Sequence, residues 1–326
     1  MKMHFIIFFL LIVSLMTGII YGILIYRHNF SPYEYIGKVY YFLIQKVIPV
    51  SPWEIGIYEG PTPFDLSDPE HISNPVLTRR DITDVNARFV ADPFMIIENE
   101  KYTMFFEVLN HETNLGHISY AESTDGKQWE YKRIIIDEPF HLSYPYVFQW
   151  NDDYYLIPES GEDLSVRLYR AVSFPDKWEY LGNLISGHNY LDPSIFQYND
   201  MWWLFVSSGE GVLNLYYSID LLKGWRPHPK NPIVRFNKNI SRPGGRVFTH
   251  GGKIYRLTQD CGPSYGFQVF AFEITKLTEE FYEEKIASEK PIVTSTGKGW
   301  NAGRMHHVDL HKVGDRWVGS VDGRSK

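Results

Sequence analysis

Hydrophobic and polar positions along this chain follow two patterns. From Phe5 to Tyr26, 22 residues pass without a charge, about the length of apolar helix that crosses the hydrocarbon core of a bilayer. From Ile55 onward, short apolar runs alternate with turns rich in Asn, Asp and Gly, which is how strands joined by hairpins read. Aromatic-rich strands align at Lys101–Glu107, Asp153–Glu159, Met201–Val206, Lys253–Leu257 and Arg316–Ser320. Each follows such a turn, as at Asn151-Asp152 or Gly251-Gly252. Further strands are predicted at His117–Ser123, Ser165–Ala171, Val212–Ser218 and Phe267–Glu273, and Trp129, Trp178 and Trp225 follow the first three.

Each aromatic strand is preceded by another with its own opening motif. The openings are Ala91-Asp92-Pro93-Phe94, Ser143-Tyr144-Pro145-Tyr146, Leu191-Asp192-Pro193-Ser194, Ser241-Arg242-Pro243-Gly244 and His306-His307-Val308-Asp309. Pro93, Pro145, Pro193 and Pro243 lie 52, 48 and 50 residues apart. An all-β repeat near this period predicts propeller blades, whose innermost strands all start on one rim of a central channel. The expected architecture is an all-β, five-bladed β-propeller over residues 51–326. Before it come a transmembrane anchor over 1–30 and a juxtamembrane amphipathic or linker segment over 31–50. The last repeat shows only two strands, so Ile55–Gly60 is predicted to complete it. The acidic stretch from Thr278 to Glu289 reads as a solvated loop or short helix.

Charge and cysteine content narrow the function. The net charge of −7 argues against nucleic acid as a main partner. A single cysteine, Cys261, excludes an intramolecular disulfide and a cysteine-based metal site. After the apolar stretch come Arg27, Lys38 and Lys46, against Lys2 and the terminal amine before it. The positive-inside rule then leans toward a single-pass protein with a cytoplasmic propeller.

Candidate chemistry gathers where the inner strands begin. Asp92 and Asp192 stand two blades apart in matching positions, and the proline after each should hold it extended. Glu159 ends a strand beside the inner one and can overhang the same pocket; Glu107 matches it in blade 1. Arg242 and Arg246 flank two glycines and suit a carboxylate or phosphate. Tyr144 opens blade 2, and Asp260 corresponds to Glu159 in the repeat. His306, His307 and Asp309 open blade 5. A His-x-Asp-x-His strand could bind metal, but no further ligand motif supports one, and histidines donating to a sugar hydroxyl or phosphate are the preferred reading. No motif requires a cofactor.

These motifs resemble those of known carbohydrate-active propellers. The Asp-Pro openings of blades 1 and 3 resemble the five-bladed propellers of glycoside hydrolase family 43. That resemblance implies a general base at Asp92 and, at Asp192, a residue that tunes a catalytic acid. A closer resemblance, over roughly residues 50–326, is to the N-terminal domain of the glucosamine inositolphosphorylceramide transferase family. It rests on Gly56-Ile57-Tyr58-Glu59-Gly60-Pro61, Ala91-Asp92-Pro93-Phe94, Ile157-Pro158-Glu159-Ser160, Gly244-Gly245-Arg246, Gln259-Asp260-Cys261-Gly262, Tyr265-Gly266 and Met305-His306-His307-Val308-Asp309. In plant members a glycosyltransferase domain follows the propeller, whereas this sequence ends with it, so that transferase activity is not expected to carry over by resemblance alone. The hydrolases usually place their acid at the start of blade 4, where this chain has Arg242; here Glu159 would be the acid.

The expectation is a membrane-anchored enzyme that transfers or trims a sugar in glycoconjugate assembly. Asp92 would be base or anchor, Glu159 the acid and Asp192 the tuning residue. Tyr144, Arg242, Arg246, Asp260, His306, His307 and Asp309 would bind a sugar or glycan carrying an anionic group, whether phosphorylated, nucleotide-linked or lipid-linked. Two alternatives remain: a non-catalytic glycan-binding module serving a partner glycosyltransferase, and an interaction platform with a plugged channel.

Overall fold

The computed structural model describes residues 51–209 and 211–326. The predicted anchor and juxtamembrane segments lie outside the described residues. Ser51–Lys326 forms one compact unit. It contains five antiparallel sheets in chain order, the blades of a five-bladed propeller.

Blade 1 is Ala87–Glu98, Lys101–Asn110, Gly116–Ser123 and Glu130–Ile136. Blade 2 is Ser143–Trp150, Asp153–Ser160, Ser165–Ser173 and Lys177–Ser186. Blade 3 ends in a two-residue outer strand, Arg226–Pro227, after Leu191–Tyr198, Met201–Ser207 and Leu213–Ser218. In blade 4 the inner strand is broken into Arg242–Pro243 and Phe248–His250, both paired to Lys253–Asp260. Gln268–Leu277 and Tyr282–Ile286 complete it, with a short strand, Val293–Thr294, beside Gln268 and Val269. The middle of the acidic stretch, Tyr282–Ile286, is therefore an outer strand, and only its flanks are loop. Its Glu284 takes both the Nε and the Nη2 of the buried Arg256, a pairing that a strand's alternation can aim inward.

Blade 5 is Val308–Val313 and Arg316–Arg324, closed by Trp53–Gly60, which runs antiparallel along the whole of Arg316–Arg324. The chain thus supplies the first and last strands of one blade, and the prediction for Ile55–Gly60 holds.

Packing completes the ring. Ile55 and Ile57 of the closing strand share a core with Met95, Met104 and Phe106 of blade 1. Blades 1, 2 and 3 share a core through Phe94, Phe105, Leu156 and Leu204. Trp203 and Phe205 meet Ile254 and Ile274 between blades 3 and 4, and Leu257 meets Leu310 and Trp317 between blades 4 and 5. Each such buried side chain contributes about 1.5–3 kcal/mol, so the blades stabilise one another at every junction.

The axis is floored by one contribution from each blade. Phe94, Tyr144 and His307 meet edge to face, with centroids 4.6–5.3 Å apart. The Tyr144 hydroxyl lies 2.9 Å from Ser194 Oγ and accepts the Gly245 amide at 2.7 Å. Gly245 sits at φ +143, and a Cβ there would fall 1.9 Å from the Val308 carbonyl oxygen. Only glycine lets blade 4 approach blade 5 this closely.

Candidate functional site

The sequence predicts extended backbone at Asp92 and Asp192. The structure puts both in the left-handed region instead, at φ +53 and +49, with Tyr144 alike at +47. Each lies in a β-bulge: the register slips between Ala91 and Phe94, Ser143 and Tyr146, and Leu191 and Ser194. The extra residue in each inner strand cannot keep the pleat, and the left-handed turn re-aims its side chain. Left-handed non-glycine residues cost about 1–3 kcal/mol each and persist where the surroundings over-determine them. Three in register show a constraint imposed at one rim.

Asp92 is 5% exposed. Its amide donates to Asp322 Oδ2 at 3.0 Å, and its Oδ1 lies 3.7 Å from His306 Nε2. His306 Nδ1 donates to Asp322 Oδ1 at 2.6 Å, and Trp53 stacks on its ring at 4.0 Å. Asp322, His306 and Asp92 thus form a line of carboxylate, imidazole and carboxylate. Burial lifts Asp92 to about 7, against the pull of His306 and with help from Asp322 and Asp192. Burial pushes His306 down, but Asp322 and then Asp92 outweigh it and hold the imidazole above its ordinary value. Burial likewise raises Asp322, and His306 more than offsets this.

A second cluster faces blades 2 to 4. Glu159 Oε2 accepts the Asp192 amide at 3.0 Å and lies 3.4 Å from Arg242 Nη2. Arg242 Nε donates to Asp192 Oδ2 in a short contact, and Gln259 Nε2 donates to the same oxygen at 2.7 Å. Burial, then the Asp192 charge, pushes Glu159 well above the carboxylate range, with Arg242 opposing. With Oε2 taken by two donors, the Glu159 proton belongs on Oε1. Glu107 is raised in the same way, by burial first and then by the charges of Asp92 and Glu159. Its Oε1 lies 3.3 Å from His141 Nε2.

Several predicted binding residues sit elsewhere. Arg246 donates to Asp309 Oδ1 at 2.7 Å and to the Val147 carbonyl at 2.9 Å, with its guanidinium 4.8 Å from the Tyr146 ring centre. Burial raises Asp309, but Arg246 and His311 hold it far below the usual range. His307 is fully buried, donates from Nε2 to the Pro93 carbonyl at 3.0 Å, and is pushed by burial to about 4. Tyr144, Arg246, His307 and Asp309 therefore tie the blades together inside the channel and do not line its mouth. Asp260 is also turned aside, accepting from the Gly262 amide and Gln268 Nε2. Its neighbour Gln259 reaches Asp192 in its place: in blade 4 Arg242 pairs directly with Gln259, and the inner strand's irregularity comes later, between Pro243 and Phe248.

Asp322 escaped the sequence reading, although a signal existed. An acid stands in the last four residues of the second strand in four blades, at Glu107, Glu159, Asp260 and Asp322. The predicted blade 5 strand stopped at Ser320, two residues short. Asp92, His306 and Asp322 offer ligating atoms within 4.8 Å of one another. The Asp322 oxygens, however, already accept from three amides and from His306 Nδ1, which leaves little capacity for a cation.

Tyr265 roofs the site. It is 45% exposed, meets His306 edge-on at 5.4 Å and carries the Arg242 guanidinium 5.1 Å from its ring centre. A Cβ on the next residue, Gly266, would come 2.7 Å from His306 Cβ, so this loop rests on the imidazole only because glycine follows the tyrosine. A cavity of about 330 Å³ opens on the blade 3–4 side and meets the site through Leu191, Arg242 and Tyr265.

The family model described as glucosamine inositolphosphorylceramide transferase 1, N-terminal, matches residues 50–324. The chain belongs to this family. The family's member from Arabidopsis thaliana, glucosamine inositolphosphorylceramide transferase 1, is 35% identical over 83% of this chain and 39% of its own length. The protein of the same name from Oryza sativa subsp. japonica is 34% identical over 83% of this chain and 40% of its own. The chain thus spans about two fifths of the curated relatives it matches. Among solved structures, an α-L-arabinofuranosidase from Podospora anserina superposes with a TM-score of 0.55 at 13% identity, covering 72% of this chain and 91% of that one. A family 117 glycoside hydrolase from Zobellia galactanivorans gives 0.52 at 17%, covering 72% and 84%. At these identities the likeness concerns the fold.

Proposed function

We propose that the channel mouth is a carbohydrate-processing site of glycoconjugate assembly, with Glu159 as general acid and Asp92 as general base. The observation that carries this reading is the contrast between the two carboxyl groups. Burial and the Asp192 charge push Glu159 toward its protonated form with one oxygen pinned, whereas Asp92 ionises near neutrality beside His306, which Asp322 holds above its ordinary value. Pairs of carboxyl groups set apart by their surroundings are how one site runs acid and base chemistry together. In the inverting displacement proposed, Asp92 takes the proton of the attacking hydroxyl or water as its oxygen bonds to the anomeric carbon. The glycosidic bond breaks, and Glu159 Oε1 gives its proton to the departing oxygen. Arg242, braced by Asp192 and Gln259, then stabilises the Glu159 carboxylate. His306, held by Asp322, does the same for Asp92 before the reaction.

The relatives are named as transferases acting on an inositolphosphorylceramide, which supports a lipid-linked glycan as substrate here. The expected N-terminal span would hold the propeller beside such a lipid. The near-complete cover over Asp92 and Asp192 favours a second reading: a non-catalytic glycan-binding module that presents substrate to a partner glycosyltransferase.

The test is leaving-group dependence. Full-length protein is assayed on nucleotide-sugars, lipid-linked sugars and aryl glycosides, with Glu159→Gln beside wild type. Loss of an acid should cost about 10²–10⁴-fold on poor leaving groups and little on activated aryl ones. Equal loss on both classes rules out the acid role, and binding without turnover on any substrate supports the module.

A further inference from the structure

Three acids hold matching places at the mouth, and two of them join blades. Asp322 Oδ2 accepts the amide of Asp92 and Glu159 Oε2 that of Asp192, at 3.0 Å each, so each acid fastens the bulge of the next blade. Glu107 pairs with Ala91, before its own blade's bulge, just as Glu159 pairs with Ser143. Yet Glu107 Oε1 is buried without a hydrogen-bond partner among the described residues. It lies instead 3.3 Å from His141 Nε2. His141 is fixed from three sides. Its Nδ1 accepts the Gly116 amide at 3.0 Å, its own amide donates to Glu162 Oε2 at 3.0 Å, and the Leu142 amide donates to the Gly116 carbonyl at 3.0 Å. With Nδ1 accepting, the neutral ring carries its proton on Nε2, on the side of Glu107. Gly116 makes the room for this meeting: a Cβ there would fall 2.8 Å from Glu107 Oε1 and 2.9 Å from His141 Cε1.

We infer that Glu107 and His141 form a hydroxyl-binding subsite on the blade 1–2 side of the mouth, which receives a ring hydroxyl of the sugar. Burial pushes Glu107 toward its protonated form, with the charges of Asp92 and Glu159 adding, and pushes His141 toward its neutral form. A carboxylic acid both donates and accepts, and the Nε2–H donates. A hydroxyl suits this pair because it does both as well. An anion would meet the negative charges that act on Glu107, and a cation would meet the Nε2–H. The His141 side chain is 28% exposed and that of Glu107 6%, so the ligand meets the imidazole first and the acid behind it. A buried oxygen without a partner lowers stability, and pairing it adds to affinity. A subsite built to pair a hydroxyl discriminates strongly against a sugar that lacks one there. Glu107 thus selects the sugar by the place of one hydroxyl, while Asp92 and Glu159 carry the chemistry; the inference rests on that reading of the mouth.

The test is histidine-ring NMR of the full-length protein in a mild nonionic detergent, titrated with glucose, galactose or mannose, which differ in the placement of their hydroxyls. His141→Gln and His306→Gln assign the two ring signals. One of the sugars should shift both rings. Glu107→Leu should weaken that sugar's affinity at least about tenfold, whereas Glu107→Gln, which keeps a donor and an acceptor, should stay within about threefold of wild type. In urea, Glu107→Leu should unfold no earlier than wild type, because Oε1 has no hydrogen bond to lose. Affinity unchanged in Glu107→Leu, equal loss in both variants, or a lowered urea midpoint in both would overturn the subsite. A shift at His306 alone would also overturn it, while leaving the sugar mouth standing. Shifts at both rings, with Glu159→Gln turning over poor leaving groups normally, would uphold the subsite and remove the catalytic reading. No shift at either ring would overturn both.

Discussion

Replacing Asp92 with asparagine should make the protein more stable as pH rises. The folded pKa of about 7 exceeds the ordinary 3.8, so between these values the folded state binds more protons than the unfolded state. Stability from this group therefore falls from about pH 4 and levels off above about pH 7. At about 1.4 kcal/mol per pH unit, the group costs about 2 kcal/mol at pH 5 and about 4 kcal/mol at pH 8. Asparagine removes the titration and accepts the left-handed backbone at position 92. The variant's stability relative to wild type should rise by about 2–3 kcal/mol from pH 5 to pH 8. Urea unfolding of both proteins at matched pH values gives this difference. A difference that stays flat or falls with pH would refute the reasoning. A flat difference would mean that Asp92 titrates as an ordinary carboxylate.

Three further substitutions probe separate parts of the account. Asp322→Asn should lower the His306 pKa, seen as an acid shift of its ring-proton NMR titration; an unmoved titration would show that Asp322 does not set the imidazole's charge. Tyr144→Phe leaves the Gly245 amide without its acceptor on the buried axis and should cost about 1–3 kcal/mol in urea unfolding, where no cost would mean the floor is held by ring packing alone. Ile57→Ala, in the strand that closes blade 5, should cost about 2–5 kcal/mol; a loss below 1 kcal/mol would show that closure depends little on this core.

The ring was readable in the sequence because its rules are local. Turn residues fixed each hairpin, proline spacing fixed the period, and a last blade short of a strand required one from the N-terminal side. The misplacements arose where geometry between blades decides. A proline after Asp92 argues for extended backbone, yet the bulge that inserts Asp92 and Pro93 overrides it. Arg246 and Asp309 are 63 positions apart and meet only once blades 4 and 5 are both in place. Asp260 matched Glu159 in the repeat, but in blade 4 the inner strand's irregularity falls after Pro243, and Gln259 is the residue that turns inward to Asp192. The strand at Tyr282–Ile286 was hidden by its charges, which make sense only beside the buried Arg256. Asp92, Asp192 and Glu159 were found because their positions recur between blades, whereas Asp322 was missed because the predicted strand stopped at Ser320.

The most direct test of the central claim is the pH–rate profile of full-length wild type, measured beside turnover and sugar binding by Asp92→Asn. The account predicts a bell. Its rising limb lies near pH 7, where Asp92 loses its proton, and its falling limb marks the loss of the Glu159 proton. Asp92→Asn should lose about 10²–10⁴-fold in turnover and keep its affinity for the sugar. An Asp92→Asn protein that turns over normally, or a wild type that binds sugar with no turnover at any pH, would contradict it.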